Sequence, residues 1–389
     1  MKLRFLLALL VCLTAVAAHA KTVVFLGGAN DSDLYSEAFA ELKLPETVKL
    51  EHYCVGLDTP ETIAERARAA DVVVINALVI ELRELAAGGG IDFAKTKLYA
   101  LSSRRLPKGL PALEPPELRA YRENRRPVNF RNMAYWIINR ELDAAVKFDP
   151  PQSLPEVGAT HPDAGKIFPS LAAYREWAET SGRWFPGRGV VAFAVHAASI
   201  NPAELALFRH LTDEFARQRL NVVVVYGDEV RLIRELLLDA DGKAAVDAVL
   251  ALSFKFKSGL GEPLRQAMAD LDVPVFNALR LYRQTTAEWQ SSVRGMNDFA
   301  VAFGFIAPEI SGMIEPSLLF GNRVVKDGKG REVQEGEPFA DNIRITVERL
   351  QKWVELRRKA NAEKHVAIFI YNGSGGKQNI GASYLNVPR

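Results

Sequence analysis

Across 389 residues the chain carries 49 Lys and Arg against 47 Asp and Glu, and 48% of its residues are hydrophobic. So even a balance leaves no basic stripe for nucleic acid or an anionic membrane surface, which excludes both as main partners. The apolar content is enough for buried cores, and at about 150 residues per domain the length predicts two or three domains.

The chain opens as an export signal. Lys2 and Arg4 precede an apolar run from Phe5 to Val16, and Ala17-Ala-His-Ala20 forms a small-residue cleavage pattern before Lys21. That run is roughly 12 residues, short of the about 20 that a helix needs to cross a bilayer core. Cleavage after Ala20 is therefore expected, giving a periplasmic or otherwise exported product with no membrane span. Residues 1–20 take with them two basic residues and Cys12, so the mature chain is neutral and keeps only Cys54. An internal disulfide is then impossible, and stability has to come from burial.

Residues 21–148 read as a first α/β domain. β-Branched runs at Thr22–Leu26, Val48–Val55, Asp71–Ala77 and Lys97–Ser102 alternate with helical stretches near 31–43, 60–70 and 79–87. This is the period of parallel strands joined by crossover helices, with further helical segments through Phe148. Gly27-Gly-Ala-Asn-Asp31 follows the first strand, where such sheets bind ligands, yet it lacks the spacing G-x-G-x-x-G and predicts a plain tight turn.

Residues 149–188 contain Pro150, Pro151, Pro155, Pro162 and Pro169 and predict a linker. Inside it Gly158-Ala-Thr-His-Pro-Asp163 is a stiff turn that presents an imidazole, His161, beside a carboxylate, Asp163. Two readings stand together: a functional pair, or a turn in which Asp163 accepts local hydrogen bonds while His161 packs the linker.

Residues 189–341 repeat the alternation, with strands at Gly189–His196, Asn221–Tyr226, Val246–Leu252 and Val273–Leu279 and helices at Pro202–Gln218, Glu229–Leu238 and Pro263–Leu271. His196 falls at the carboxyl end of the first of these strands, where doubly wound sheets hold ligands. Residues 342–389 begin with a charged helix, Asn342–Asn361, and reach an apolar strand, Val366–Tyr371. The predicted fold class is α/β, with two doubly wound, flavodoxin-like parallel-sheet domains and the start of a further domain.

Gly373-Ser-Gly-Gly-Lys377-Gln378 misses both the spacing and the hydroxyl residue of a phosphate-binding loop, so no bound nucleotide is expected. His52, His161, His196, His210 and His365 form no H-x-x-x-H pair and there is no C-x-x-C, so spacing identifies no metal ligands.

Gly158-Ala-Thr-His-Pro-Asp163, with Phe168-Pro-Ser-Leu-Ala-Ala-Tyr174 and Trp177, resembles the large subunit of cobaltochelatase and magnesium chelatase, the CobN and H-subunit family. Leu271-Asp-Val-Pro-Val275, Glu288-Trp289, Ala307-Pro-Glu309 and Leu356-Arg-Arg-Lys-Ala-Asn-Ala-Glu-Lys364 extend the resemblance. It continues through Ile370-Tyr-Asn372 and Asn379-Ile-Gly-Ala-Ser383 to Leu385-Asn-Val-Pro388. An Arg and a second His expected after the strand ending at His196 are absent from His196-Ala-Ala-Ser-Ile200.

The resemblance implies an exported, CobN-like N-terminal region that handles a tetrapyrrole, with Co²⁺ or Mg²⁺ as the inserted metal. Alone it is expected to be an incomplete catalyst, its body supplied by a separate chain. His161 is then ligand or base, Asp163 its orienter, and His196 with Asn372, Lys377, Asn379 and Gly381 the ligand-binding set. Two other functions remain open at this point: a periplasmic tetrapyrrole or small-ligand binder without catalysis, and part of a metal-removing system.

Overall fold

The computed structural model describes residues 20–102, 106–253, 262–282, 284–327 and 330–367. The first lobe is a five-stranded parallel sheet ordered β2-β1-β3-β4-β5, built from β1 (Lys21–Gly28), β2 (Val48–Val55), β3 (Val72–Ile75), β4 (Lys97–Ala100) and β5 (Ala112–Leu113). All four residues of β3 are buried, as a run without polar alternation requires. One face carries α1 (Ser32–Ala40), α4 (Pro116–Glu123) and α5 (Pro127–Leu142), packed through Tyr35, Tyr121 and Phe130. The other carries α2 (Pro60–Ala69) and α3 (Ile80–Ala87), packed through Ile63 and Leu82. The predicted crossover pattern is present, and β5 is an addition.

Residues 143–157 cross to the second lobe as an extended strap held by asparagines. Asn129 Oδ1 accepts from the Gln152 N–H at 2.9 Å while its Nδ2 donates to the Gln152 carbonyl at 2.8 Å. Asn124 accepts from the Leu154 N–H at 2.9 Å, and Asn132 from the Asp149 N–H at 3.2 Å. A strand-free segment needs its backbone groups satisfied by side chains, and these amides do it.

The second sheet has seven strands, ordered β12-β11-β10-β9-β7-β8-β6. They are β6 (Gly158–Thr160), β7 (Val190–Val195), β8 (Asn221–Tyr226), β9 (Ala248–Ala251), β10 (Val275–Arg280), β11 (Ile314–Lys326) and β12 (Glu332–Pro338). The central strands are parallel as expected, but β6 and β12 run antiparallel and close the two edges. The sheet is therefore mixed rather than purely parallel. A short turn joins β11 to β12, which an antiparallel hairpin permits and a parallel pair does not.

Two segments carry more structure than the sequence predicts. Within residues 149–188, β6 pairs with β8, and α6 (Leu171–Thr180) packs onto the same sheet, its Tyr174 hydroxyl donating to the Val222 carbonyl at 2.6 Å. Helix α13 (Ala340–Arg358), expected to begin a further domain, places Ile343, Val347, Leu350 and Val354 in the core of the second sheet. That face also receives α7 (Pro202–Arg217) through Phe208 and Phe215. Helices α8 (Glu229–Leu232) and α9 (Glu262–Leu271) cover the opposite face beside α6, while α10 (Thr286–Ser291), α11 (Asp298–Val301) and α12 (Ala307–Ile310) bridge β10 to β11. Of the expected strand Val366–Tyr371, residues 368–371 lie outside the described residues, as do residues 1–19 of the signal.

The lobes also meet through the β11–β12 turn. Arg331 donates to Asp58 at 2.6 Å and to the Ser32 hydroxyl at 2.8 Å in the first lobe, and to Asp327 of its own turn at 2.9 Å.

Candidate functional site

The crest of the first sheet is taken up by the chain itself. Asp31 Oδ2 accepts from the Gly28 N–H and from Asn76 Nδ2, each at 2.9 Å, and Asp31 Oδ1 pairs with Arg125 at 2.8 Å. A Cβ on Gly27 would stand 2.6 Å from the Asp31 carboxylate, so the close approach of loop and acid needs glycine there. The tight turn expected at Gly27–Asp31 is thus organised around a buried carboxylate.

The turn at His161 is built as tightly. His161 Nδ1 accepts the backbone N–H of Asp163 at 3.2 Å, and its ring packs against Trp177 with centroids 5.4 Å apart. The imidazole is only 3% exposed. Burial lowers its pKa to about 4; Arg183 and Arg209 push the same way, and Asp163 opposes them. The ring is therefore neutral at pH 7. The Asp163 carboxylate stands 3.6 Å from Nδ1 and is itself held by Arg183 and Arg209. Asp163 thus orients His161 through its backbone, while its side chain neutralises two guanidinium groups.

His196 lies elsewhere. In β8, Tyr226 is opposite both Val195 of β7 and Gly158 of β6, and β6 then runs back so that Thr160 meets Val224. The chain at His161 thus recedes from the carboxyl edge at which His196 stands. His196 is exposed and caps the turn Ala197–Ser199, its Nδ1 accepting from the Ala198 N–H at 3.1 Å. Among the described residues no hydrogen bond or ion pair joins it to His161 or Asp163. Asn372, Lys377, Asn379 and Gly381 lie outside the described residues. Also among the described residues, no three His, Cys, Asp or Glu side chains gather as a metal set.

What the His161 turn does shape is a cavity of about 480 Å³ between the lobes. Glu37 of α1, Glu41 just past its carboxyl end, and Arg126, Pro127 and Arg131 at the start of α5 form the first-lobe wall. Thr160, Pro162 and Lys166 of the turn, with Asn201 and Pro202 at the start of α7, form the other, and Leu154 of the strap also lines it. Both helices begin with proline and point their amino ends at the space.

The charges are unevenly matched. Arg131 is paired with Glu41, but Arg126 and Lys166 have no carboxylate partner among the described residues. Arg126 caps α5 without a side-chain hydrogen bond, although a cation at a helix amino end meets the positive pole of the helix dipole. Across the interface, Tyr226 is fully buried, and its hydroxyl has no partner among the described residues. Burial pushes its pKa up to about 12, with Arg126 acting in the opposite direction. Glu37 is held above the usual carboxylate range by burial, by Glu41 and by Asp33. Sequence reasoning missed Arg126 and Lys166. The one visible signal was Arg125-Arg126 directly before Pro127, two cations where a helix start favours an acid.

Residues 119–389 match the family described as CobN/Magnesium Chelatase. The chain is similar to the magnesium-chelatase subunit ChlH, chloroplastic, of Oryza sativa, with 28% identity over 262 residues, covering 63% of this chain and 18% of that protein. It is similar to the aerobic cobaltochelatase subunit CobN of Pseudomonas aeruginosa, with 25% identity over 250 residues, covering 61% and 19%. The solved structure titled catalytic subunit of cobaltochelatase from Mycobacterium tuberculosis has the same fold at a TM-score of 0.53 and 17% identity, over 88% of this chain and 28% of that one. The chain spans about a fifth of the length of these curated relatives.

Proposed function

The chain belongs to the CobN/magnesium chelatase family, and from that premise we propose that it is an exported, CobN-like chelatase large-subunit N-terminal region that holds a tetrapyrrole for metal insertion. Co²⁺ or Mg²⁺ is the second substrate. No nucleotide is assigned to this region. The basic and apolar start at Lys2 to Val16 and the pattern before Lys21 support export to the periplasm. No described helix is long and apolar enough to cross a membrane.

The observation that carries the reading is the cavity between the lobes, whose walls combine prolines and aliphatic side chains with two cations that lack carboxylate partners among the described residues. A flat, largely apolar ligand with polar edges needs such a recess with few convergent polar groups. Insertion asks the protein to exclude water, to hold the ring still and to accept the pyrrole protons. In this reading His161 and Asp163 set the wall that bears Pro162 and Lys166, the neutral His161 ring being buried behind that wall and acting by holding it in place. His196, apart from this cavity, and Asn372, Lys377, Asn379 and Gly381, outside the described residues, belong to the proposed ligand-binding set on the family resemblance alone.

Two α/β lobes with a cleft between them also favour a second reading, a periplasmic binder that carries a tetrapyrrole or small ligand without chemistry. A metal-removing system would use the same cleft in reverse. Titration of the purified protein with a metal-free porphyrin and a cobalt-free corrinoid, followed by absorption, separates these. Saturable band shifts are expected. Metallated bands after addition of Co²⁺ or Mg²⁺ support insertion, while shifts without metal exchange support the binder. Bands unchanged with every macrocycle refute the tetrapyrrole reading.

A further inference from the structure

We infer that the interlobe cavity is a carboxylate clamp, in which Arg126 of the first lobe and Lys166 of the second grip one acidic arm of the ligand between them. The inference deepens the tetrapyrrole reading and rests on it for the ligand's flat body, whereas the acidic arm follows from the cavity's own charges.

Three observations converge on an anion. Arg126 and Lys166 line the same cavity from opposite lobes, and neither has a carboxylate partner among the described residues; the Lys166 ammonium rests 5.0 Å from the centroid of the Phe168 ring, a contact it exchanges for the acid arm. The cations beside them are already matched: Arg125 by Asp31, Arg131 by Glu41, and Arg183 and Arg209 by Asp163. The amino ends of α5 and α7, each of 16 residues, face the same space with the positive poles of their dipoles, although Pro127 and Pro202 remove one N–H donor from each and Asn201 caps α7. The positive potential that remains is built in from both sides, at a site where a guanidinium can take a carboxylate in bidentate fashion.

The acids in the wall set the orientation. Glu41 is neutralised by Arg131, and Glu37 stands on α1 with its pKa raised. An acidic arm is therefore directed away from α1 and toward Arg126 and Lys166. Apolar contacts from Pro127, Leu154, Ile167, Ile200 and Leu205 remain for the body of the ligand. Because the two cations belong to different lobes, one carboxylate ties the lobes together.

The test compares a metal-free porphyrin bearing carboxylate arms with the same macrocycle whose arms are converted to uncharged amides. Absorption titration of the purified protein should show about tenfold or more tighter binding of the acid form, the scale of a lost charge-assisted hydrogen bond. Arg126→Ala should abolish that preference and Arg126→Lys should keep most of it, with the unliganded melting midpoint unchanged in both. Equal binding of acid and amide, or a preference that survives Arg126→Ala with Lys166→Ala, overturns the clamp while leaving the tetrapyrrole reading intact. If neither macrocycle binds, 1-naphthoate followed by fluorescence decides. Binding that is weakened by Arg126→Ala keeps the clamp for another acidic ligand, and no binding overturns it.

Discussion

His161 is a base that the fold keeps uncharged. Its pKa falls from the ordinary 6.5 to about 4 because burial and two guanidinium groups disfavour the imidazolium. Above pH 6.5 both folded and unfolded chains hold the neutral ring, and the group has no effect on stability. Between pH 6.5 and 4 the unfolded chain takes up the proton and the folded one does not, so stability falls as pH falls, by on the order of 3 kcal/mol in all. Chemical denaturation at pH 7 and pH 4.5 should show this loss in the wild type and a smaller one in His161→Gln. Asp163 differs, because its carboxylate answers both Arg183 and Arg209. Asp163→Ala should cost about 2–3 kcal/mol of unfolding free energy at pH 7, read from the same denaturation curves, by leaving two half-buried cations uncompensated. The sequence showed that an imidazole and a carboxylate share this turn. It could not show that the contact holding the ring is a backbone N–H, since that depends on the φ and ψ angles around Pro162.

At the level of elements, strands with β-branched or alternating apolar residues were readable, and Asn221–Tyr226 and Val48–Val55 have the predicted bounds. Elements with weaker patterns were hidden. Strand β6 has three residues and sits among prolines, so its pairing with β8 is a tertiary event without a local signal. Strands β11 and β12 carry Arg323, Lys326, Glu332, Glu335 and Glu337, charges that suit an exposed edge and erase the apolar period. The strap after α5 was read as a linker because nothing in its own residues shows the asparagines that hold it. Asn129 is fully buried, with its amide committed to the strap on both sides. Asn129→Leu should cost about 1–2 kcal/mol, because part-buried backbone groups of the strap lose their partners. Hydrogen exchange at the Gln152 amide should accelerate in that variant, while amides of β3 keep their protection.

For the whole molecule, the relation between the lobes is the feature least visible in sequence, since it joins residues far apart along the chain. Arg331 meets Asp58 and Ser32 across 273 and 299 positions. Its side chain is 12% exposed, and the two carboxylates it serves are as deeply placed. Arg331→Ala should destabilise the protein by about 3 kcal/mol and loosen the lobes, seen as a larger radius of gyration in solution scattering. An unchanged radius would mean that the strap and the cleft walls alone set the lobe arrangement. The cavity follows from the same relation, which is why two of its cations escaped a reading that looked for sites on one strand end at a time.

In the proposed function that cavity receives a flat, acid-bearing macrocycle. A crystal structure of the protein saturated with a carboxylated metal-free porphyrin tests it most directly. The ring should lie between Pro127 and Pro202 with one acid arm on Arg126 and Lys166. A macrocycle seated elsewhere while this cleft stays empty would contradict it.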